Sequence, residues 1–148
     1  FTYRLSKEIE ELYQWHNGID DDDFKFEIFH YHTFLSLDKA LEIRREWMTY
    51  NSDECTVYSP DFLPLFEFMG EYYVAKCHED VQSCSQIWFV YHGEAQVYNS
   101  LRAMLLAILE CYSVGAYWAA WVDGQVETTI DEQRVAEIKL RHNPVRQG

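Results

Sequence analysis

An α+β domain, with a mostly antiparallel sheet and helices packed on one side of it, is what this sequence predicts. Three observations carry that expectation. Helix-spaced apolar residues lie towards both ends, the middle is a series of short apolar or alternating runs separated by turn pairs, and no internal repeat or linker divides them. A chain of 148 residues that is 48% hydrophobic has enough apolar side chain for one core, so a single domain over residues 1–148 is expected.

Ser6 is a suitable N-cap for a first helix, in which Ile9, Leu12, Tyr13 and His16 share one face and Asn17-Gly18 ends the run. Asp20, Asp21, Asp22 and Asp23 follow as a loop of adjacent like charges that stays solvated. Phe24, Phe26 and Ile28 alternate with Lys25 and Glu27, a strand pattern that can continue through Phe29-His30-Tyr31-His32. Ser36 then caps a second helix with Leu37, Ala40, Leu41, Trp47 and Met48 on its apolar side.

Beyond Pro60 and Pro64, Leu65–Phe68 and Tyr72–Lys76 form a hairpin around Met69-Gly70-Glu71, with Gly70 supplying the positive φ that the turn needs. Gln86–Tyr91 is almost wholly apolar, which predicts a strand covered on both faces and closed by His92-Gly93-Glu94. The clearest helix runs from Ser100 to Ser113. Its spacing predicts that Leu101, Leu105, Ile108 and Leu109 pack on the sheet, with Gly115 just beyond the end. Trp118–Val122 and Val126–Ile130 flank an Asp123-Gly124 turn, and Thr129 with Glu132 fits a capping box for a last helix through Ala136, Ile138 and Leu140.

Charge narrows the function. With 25 acidic and 12 basic residues the net charge is −13, and 16 of the acidic residues against 6 of the basic ones fall in residues 1–74. Such a surface is repelled by phosphate backbones and anionic lipid, so neither nucleic acid nor a membrane is an expected partner, whereas a protein with a basic surface is. No apolar run approaches the ~18 residues of a membrane span, and no leader peptide is recognisable at the N-terminus. The chain opens on Phe1 rather than Met, which leaves room for an upstream region. Cys55, Cys77, Cys84 and Cys111 are expected to be reduced thiols, since a domain with this much apolar content does not need disulfides; a cytoplasmic setting follows.

The residues that could carry chemistry do not assemble into a motif. His30 and His32 place two imidazoles on one strand face without a third ligand at a recognisable spacing, and Cys77-His78 with Cys84 lacks the paired cysteine knuckles of a zinc site. The aspartate run lacks the alternating ligands of a calcium loop. There is no nucleophile elbow and no phosphate-binding glycine loop. No catalytic residue, metal or cofactor is therefore expected. Tyrosine and tryptophan dominate interface energies, so Tyr72 and Tyr91, with Glu71 beside them and the Asp20–Asp23 run as an electrostatic guide, are the candidate partner-binding residues.

Several strings are similar to the SMI1/KNR4 family, also called the SUKH superfamily. They are Trp15-His16-Asn17-Gly18, Phe34-Leu35-Ser36-Leu37-Asp38-Lys39-Ala40-Leu41, Pro60-Asp61-Phe62-Leu63-Pro64-Leu65-Phe66 leading to Gly70-Glu71-Tyr72-Tyr73, Ile87-Trp88-Phe89 and Asn99-Ser100-Leu101. The resemblance spans most of the chain and departs at Met69-Gly70, where relatives often show two glycines. It implies an intracellular α+β protein that acts by binding a partner. The leading expectation is a non-enzymatic immunity protein that neutralises a bacterial toxin by direct contact; a regulatory scaffold, and a small hydrolase or metal-dependent enzyme, are the alternatives.

Overall fold

The computed structural model describes residues 2–19, 29 and 31–143. The Phe24–Ile28 strand, His30 and the Asp20–Asp23 run fall outside these residues. The elements, in chain order, are α1 (Lys7–Trp15), β1 (Thr33–Phe34), α2 (Leu37–Tyr50), β2 (Phe62–Phe68), β3 (Glu71–Lys76), β4 (Ile87–Val90), β5 (Glu94–Tyr98), α3 (Leu101–Ser113), β6 (Tyr117–Val122), β7 (Gln125–Ile130) and α4 (Glu132–His142). Strands β1 to β5 form one antiparallel sheet in sequence order, and β6 and β7 form a separate antiparallel pair. The α+β class predicted by the sequence is the class observed.

Two-residue turns set the register of two hairpins. Phe68 pairs with Glu71 and Val122 with Gln125, and the turn residues Met69-Gly70 and Asp123-Gly124 all have positive φ. That is the pairing of turn and strand twist that favours glycine at the second position. Pro64 lies within β2, where the register slips between Pro64 and Phe66 and Leu65 bulges out to accept a hydrogen bond from Leu35 N at 2.9 Å.

Successive strand residues point to opposite faces, so Tyr72 and Tyr73 show which helix covers which side. Tyr72 meets Trp47 of α2 edge-on at 4.9 Å. Tyr73 pairs with Phe66; Phe66 packs on Phe34, and Phe34 on Tyr13 of α1 at 5.3 Å. The helices thus divide between the two faces rather than lying in one layer, with α2 on one side and α1 on the other. Strand β4 has cover on both sides, since Ile87 and Val90 point oppositely and both are buried.

Four local expectations are corrected. The expected strand does not continue through the described Phe29, Tyr31 and His32: His32 N donates to Phe29 O at 2.8 Å, Tyr31 has φ 67°, and β1 begins at Thr33. Strand β5, unmarked in the sequence reading, is an edge strand whose first residues are exposed. Thr129 pairs with Trp118 inside β7, so the cap of α4 is Asp131, whose side chain accepts from Arg134 N at 3.1 Å. In α3 the buried positions are Leu101, Met104, Ala107, Ile108 and Cys111; Leu105 is half-buried and Leu109 is 65% exposed.

The N-terminal segment is tied to the rest by backbone contacts. Gly18 has φ 81°, and a Cβ there would stand 2.2 Å from Ser36 N, so only glycine allows the approach. Beside it Asn17 Oδ1 accepts from Leu37 N at 2.9 Å, and Ile19 N donates to Phe34 O at 3.0 Å. Helix α1 ends earlier than expected, at Trp15 with His16 extended, and the Asn17-Gly18 pair instead secures the start of α2.

Candidate functional site

Between α2 and the β1–β3 edge of the sheet lies a cleft of about 480 Å³, with Tyr72, Glu46, Glu67 and Lys39 among its lining. The Ser36 hydroxyl accepts from Lys39 N at 3.2 Å, which starts α2 and sets Lys39 and Glu46 two turns apart on the same helix. Glu67 and Tyr72 come from facing register positions of β2 and β3. Two elements thus bring two carboxylates towards one phenol.

The electrostatics follow from that convergence. Burial holds the Tyr72 phenol above its ordinary pKa, and the Glu67 carboxylate, Tyr58 and the Glu46 carboxylate push it the same way. Glu46 Oε1 accepts from Tyr50 OH at 3.0 Å, and Glu67 Oε1 from Gly70 N at 3.3 Å, so each carboxylate is oriented. The ammonium of Lys39 is paired with Glu42 at 3.0 Å, which leaves the charge of Glu46 and Glu67 in excess. Such a cleft attracts a cation. Behind Tyr72, and outside the cleft lining, Trp47 is stacked on Tyr58 at 4.6 Å.

Of the residues singled out in the sequence, Tyr72 lines this cleft. Glu71 is its strand neighbour and points to the other face. Tyr91 lies just past β4, exposed, with its ring 4.2 Å from that of His92, and is not part of the cleft lining. Asp20–Asp23 lie outside the described residues, but they follow Ile19 in the chain, and Ile19 lines the cleft. Glu46 and Glu67 were missed. Glu67 did leave a signal, as the single charge in the otherwise apolar Phe62–Phe68 strand.

The remaining candidates are placed as follows. His32 is buried, stacked on Phe29 at 5.1 Å and edge-on to Tyr73 at 4.9 Å. All four cysteines are free thiols; Cys77 and Cys111 are buried, and burial pushes the Cys77 thiol up to about 12, which keeps it protonated and unreactive at neutral pH. Among the described residues no group of three or more His, Cys, Asp or Glu side chains could hold a metal ion, and no helix is long and apolar enough to cross a membrane.

No protein-family model and no curated protein matches this chain.

Proposed function

We propose that this chain is a protein-binding module whose acidic cleft receives a Lys or Arg side chain from the basic surface of its partner. One observation carries the reading: Glu46 and Glu67 converge on Tyr72 in a cleft whose nearest cation, Lys39, is already paired. The net charge of −13, concentrated in residues 1–74, adds a long-range attraction for the same class of partner. The module acts without catalysis. The resemblance to the SMI1/KNR4 family supports a bacterial toxin as the partner, neutralised by direct contact, and four unpaired cysteines support a cytoplasmic setting.

Affinity capture from the source cells with the wild type and with a Glu46→Gln/Glu67→Gln variant tests this. The wild type should retain a protein with a basic surface, and the double variant should bind it about 10-fold or more weakly, as expected for charged groups facing a partially desolvated cation. A partner that binds both forms equally well at low salt would falsify the cleft as the contact.

A further inference from the structure

A second, larger depression of about 820 Å³ lies between α1 and α3, remote in character from the acidic cleft. Its floor contains half-buried Leu12 and Leu105, and its lip carries Leu106 and Leu109, which are 40% and 65% exposed. Four leucines on two neighbouring helices make a continuous apolar strip of the kind that marks an interaction surface.

The charges around the strip identify its occupant. The chain has 13 more negative than positive charges, yet this rim is balanced, with Lys7 and Arg102 against Glu8 and Glu11. Glu8 is also engaged locally: its carboxylate accepts from Ser85 N at 2.8 Å, Leu101 N at 2.9 Å and Arg102 N at 3.2 Å. Between Arg102 and Glu110, α3 has no ionisable group, and Glu110 itself is held by Arg141 and His142 of α4. A basic partner would be drawn to the acidic half of the molecule. What fits a neutral leucine strip is another uncharged helical face, and α3 of a second copy provides one.

We propose that the α1–α3 groove is a self-association surface in which the Leu105–Leu109 faces of two copies of α3 pack antiparallel about a two-fold axis. The balanced rim lets two strongly acidic chains approach there without the repulsion they meet elsewhere. On α1, Lys7 and Glu11 stand one turn apart, so a two-fold operation offers each cation the other copy's anion. A 13-residue helix is about 20 Å long, so one helix pair with its flanks falls at the low end of interface size and gives a reversible, micromolar dimer. This inference does not depend on the acidic cleft.

Sedimentation velocity of the full chain under reducing conditions, from about 1 to about 300 μM, spans the expected dissociation constant. The mass should rise from the monomer value of 17.7 kDa towards twice that figure. Leu109→Glu should hold it at the monomer value throughout, Lys7→Glu should weaken association several-fold, and Trp121→Ser, which alters an exposed residue on the β6–β7 hairpin, should change nothing. Circular dichroism confirms folding; should Leu109→Glu unfold, Leu106→Ser takes its place with the same expectation. A wild type that stays monomeric to the highest concentration overturns the proposal. So does a dimer that survives Leu109→Glu, or one that Trp121→Ser abolishes instead.

Discussion

The α2 side and the α1–α3 side of the molecule present opposite kinds of surface. On the α2 side, the smaller cleft has the carboxylates of Glu46 and Glu67 and the Tyr72 phenol in its lining, and the lining cation Lys39 is paired with Glu42. On the α1–α3 side, the groove is wider, its floor is leucine, and the rim charges cancel. Strand residues Thr33, Phe34, Glu67 and Tyr72 help line the cleft, whereas the groove is lined by α1, α3 and the segment at Ser83 and Cys84. Helix α2 carries charges on most turns, one of which, the exposed Glu46, lines the cleft; α3 is apolar almost all round and leaves leucine exposed after the core is filled. An acidic protein can thus hold an attractive site for cations on one face while retaining a neutral area on the other.

Substituting Gly18 should break the comparison most severely, because that residue fastens the α1 segment to the start of α2. Gly18→Ala places a Cβ against Ser36 backbone at positive φ and should destabilise the fold by about 2–4 kcal/mol in denaturant titrations. A change under about 0.5 kcal/mol would show that the close approach is not needed. Glu8→Ala acts on the groove side alone. It removes an acceptor shared by three backbone N–H groups and should cost about 1–2 kcal/mol, while the acidic cleft keeps its affinity for a basic partner.

Charge neutralisation sharpens the comparison from the other side. Replacing Asp20, Asp21, Asp22 and Asp23 by Asn should slow association with a basic partner by about 10-fold at low salt, flatten the salt dependence, and leave unfolding nearly unchanged. Stopped-flow rates identical in both proteins would assign the run to solubility alone. The smallest effect concerns acid. Hydrogen bonds from Arg141 and then His142 hold the Glu110 carboxyl below its ordinary pKa. A depressed folded pKa contributes stability above the unfolded value, and that contribution disappears as pH falls through the folded one. The α3–α4 contact should therefore loosen below the usual carboxylate range, and Glu110→Gln should remove part of the acid limb of the stability curve. Coincident acid limbs would rule that contribution out.

The legibility of these features in the sequence depended on how local their causes are. Hairpin turns at Met69-Gly70 and Asp123-Gly124, and the hydroxyl cap Ser36, were readable because each acts over three or four residues. The extent of α3 was readable too, and Leu101 and Ile108 are buried as its spacing predicts, but the edge of its inward face was not readable. When nearly every position is apolar, spacing does not set where that face ends, and Ala107 took the core while Leu109 was left outside. Strand β5 escaped notice because Glu94 and Gln96, with Ala95 between them, give an exposed edge too little apolar alternation. Thr129 offered a plausible cap until β6 claimed it as a register partner. The cleft was half legible: Tyr72 was found from its residue type, whereas Glu46 joins it across 26 positions and only through folding.

Glu8 reaches N–H groups 77, 93 and 94 residues further along the chain. During synthesis the first helical segment leaves the ribosome long before the donors it will satisfy have been made. The Ser100 hydroxyl caps α3 locally, but Leu101 N and Arg102 N gain their carboxylate acceptor only when the α1 segment packs against them, so that step joins parts of the chain far apart in sequence. High sequence separation slows such a step. A chain truncated before α1 would leave those three donors without their carboxylate, and fragments split between β5 and α3 should regain structure only when both halves are present together.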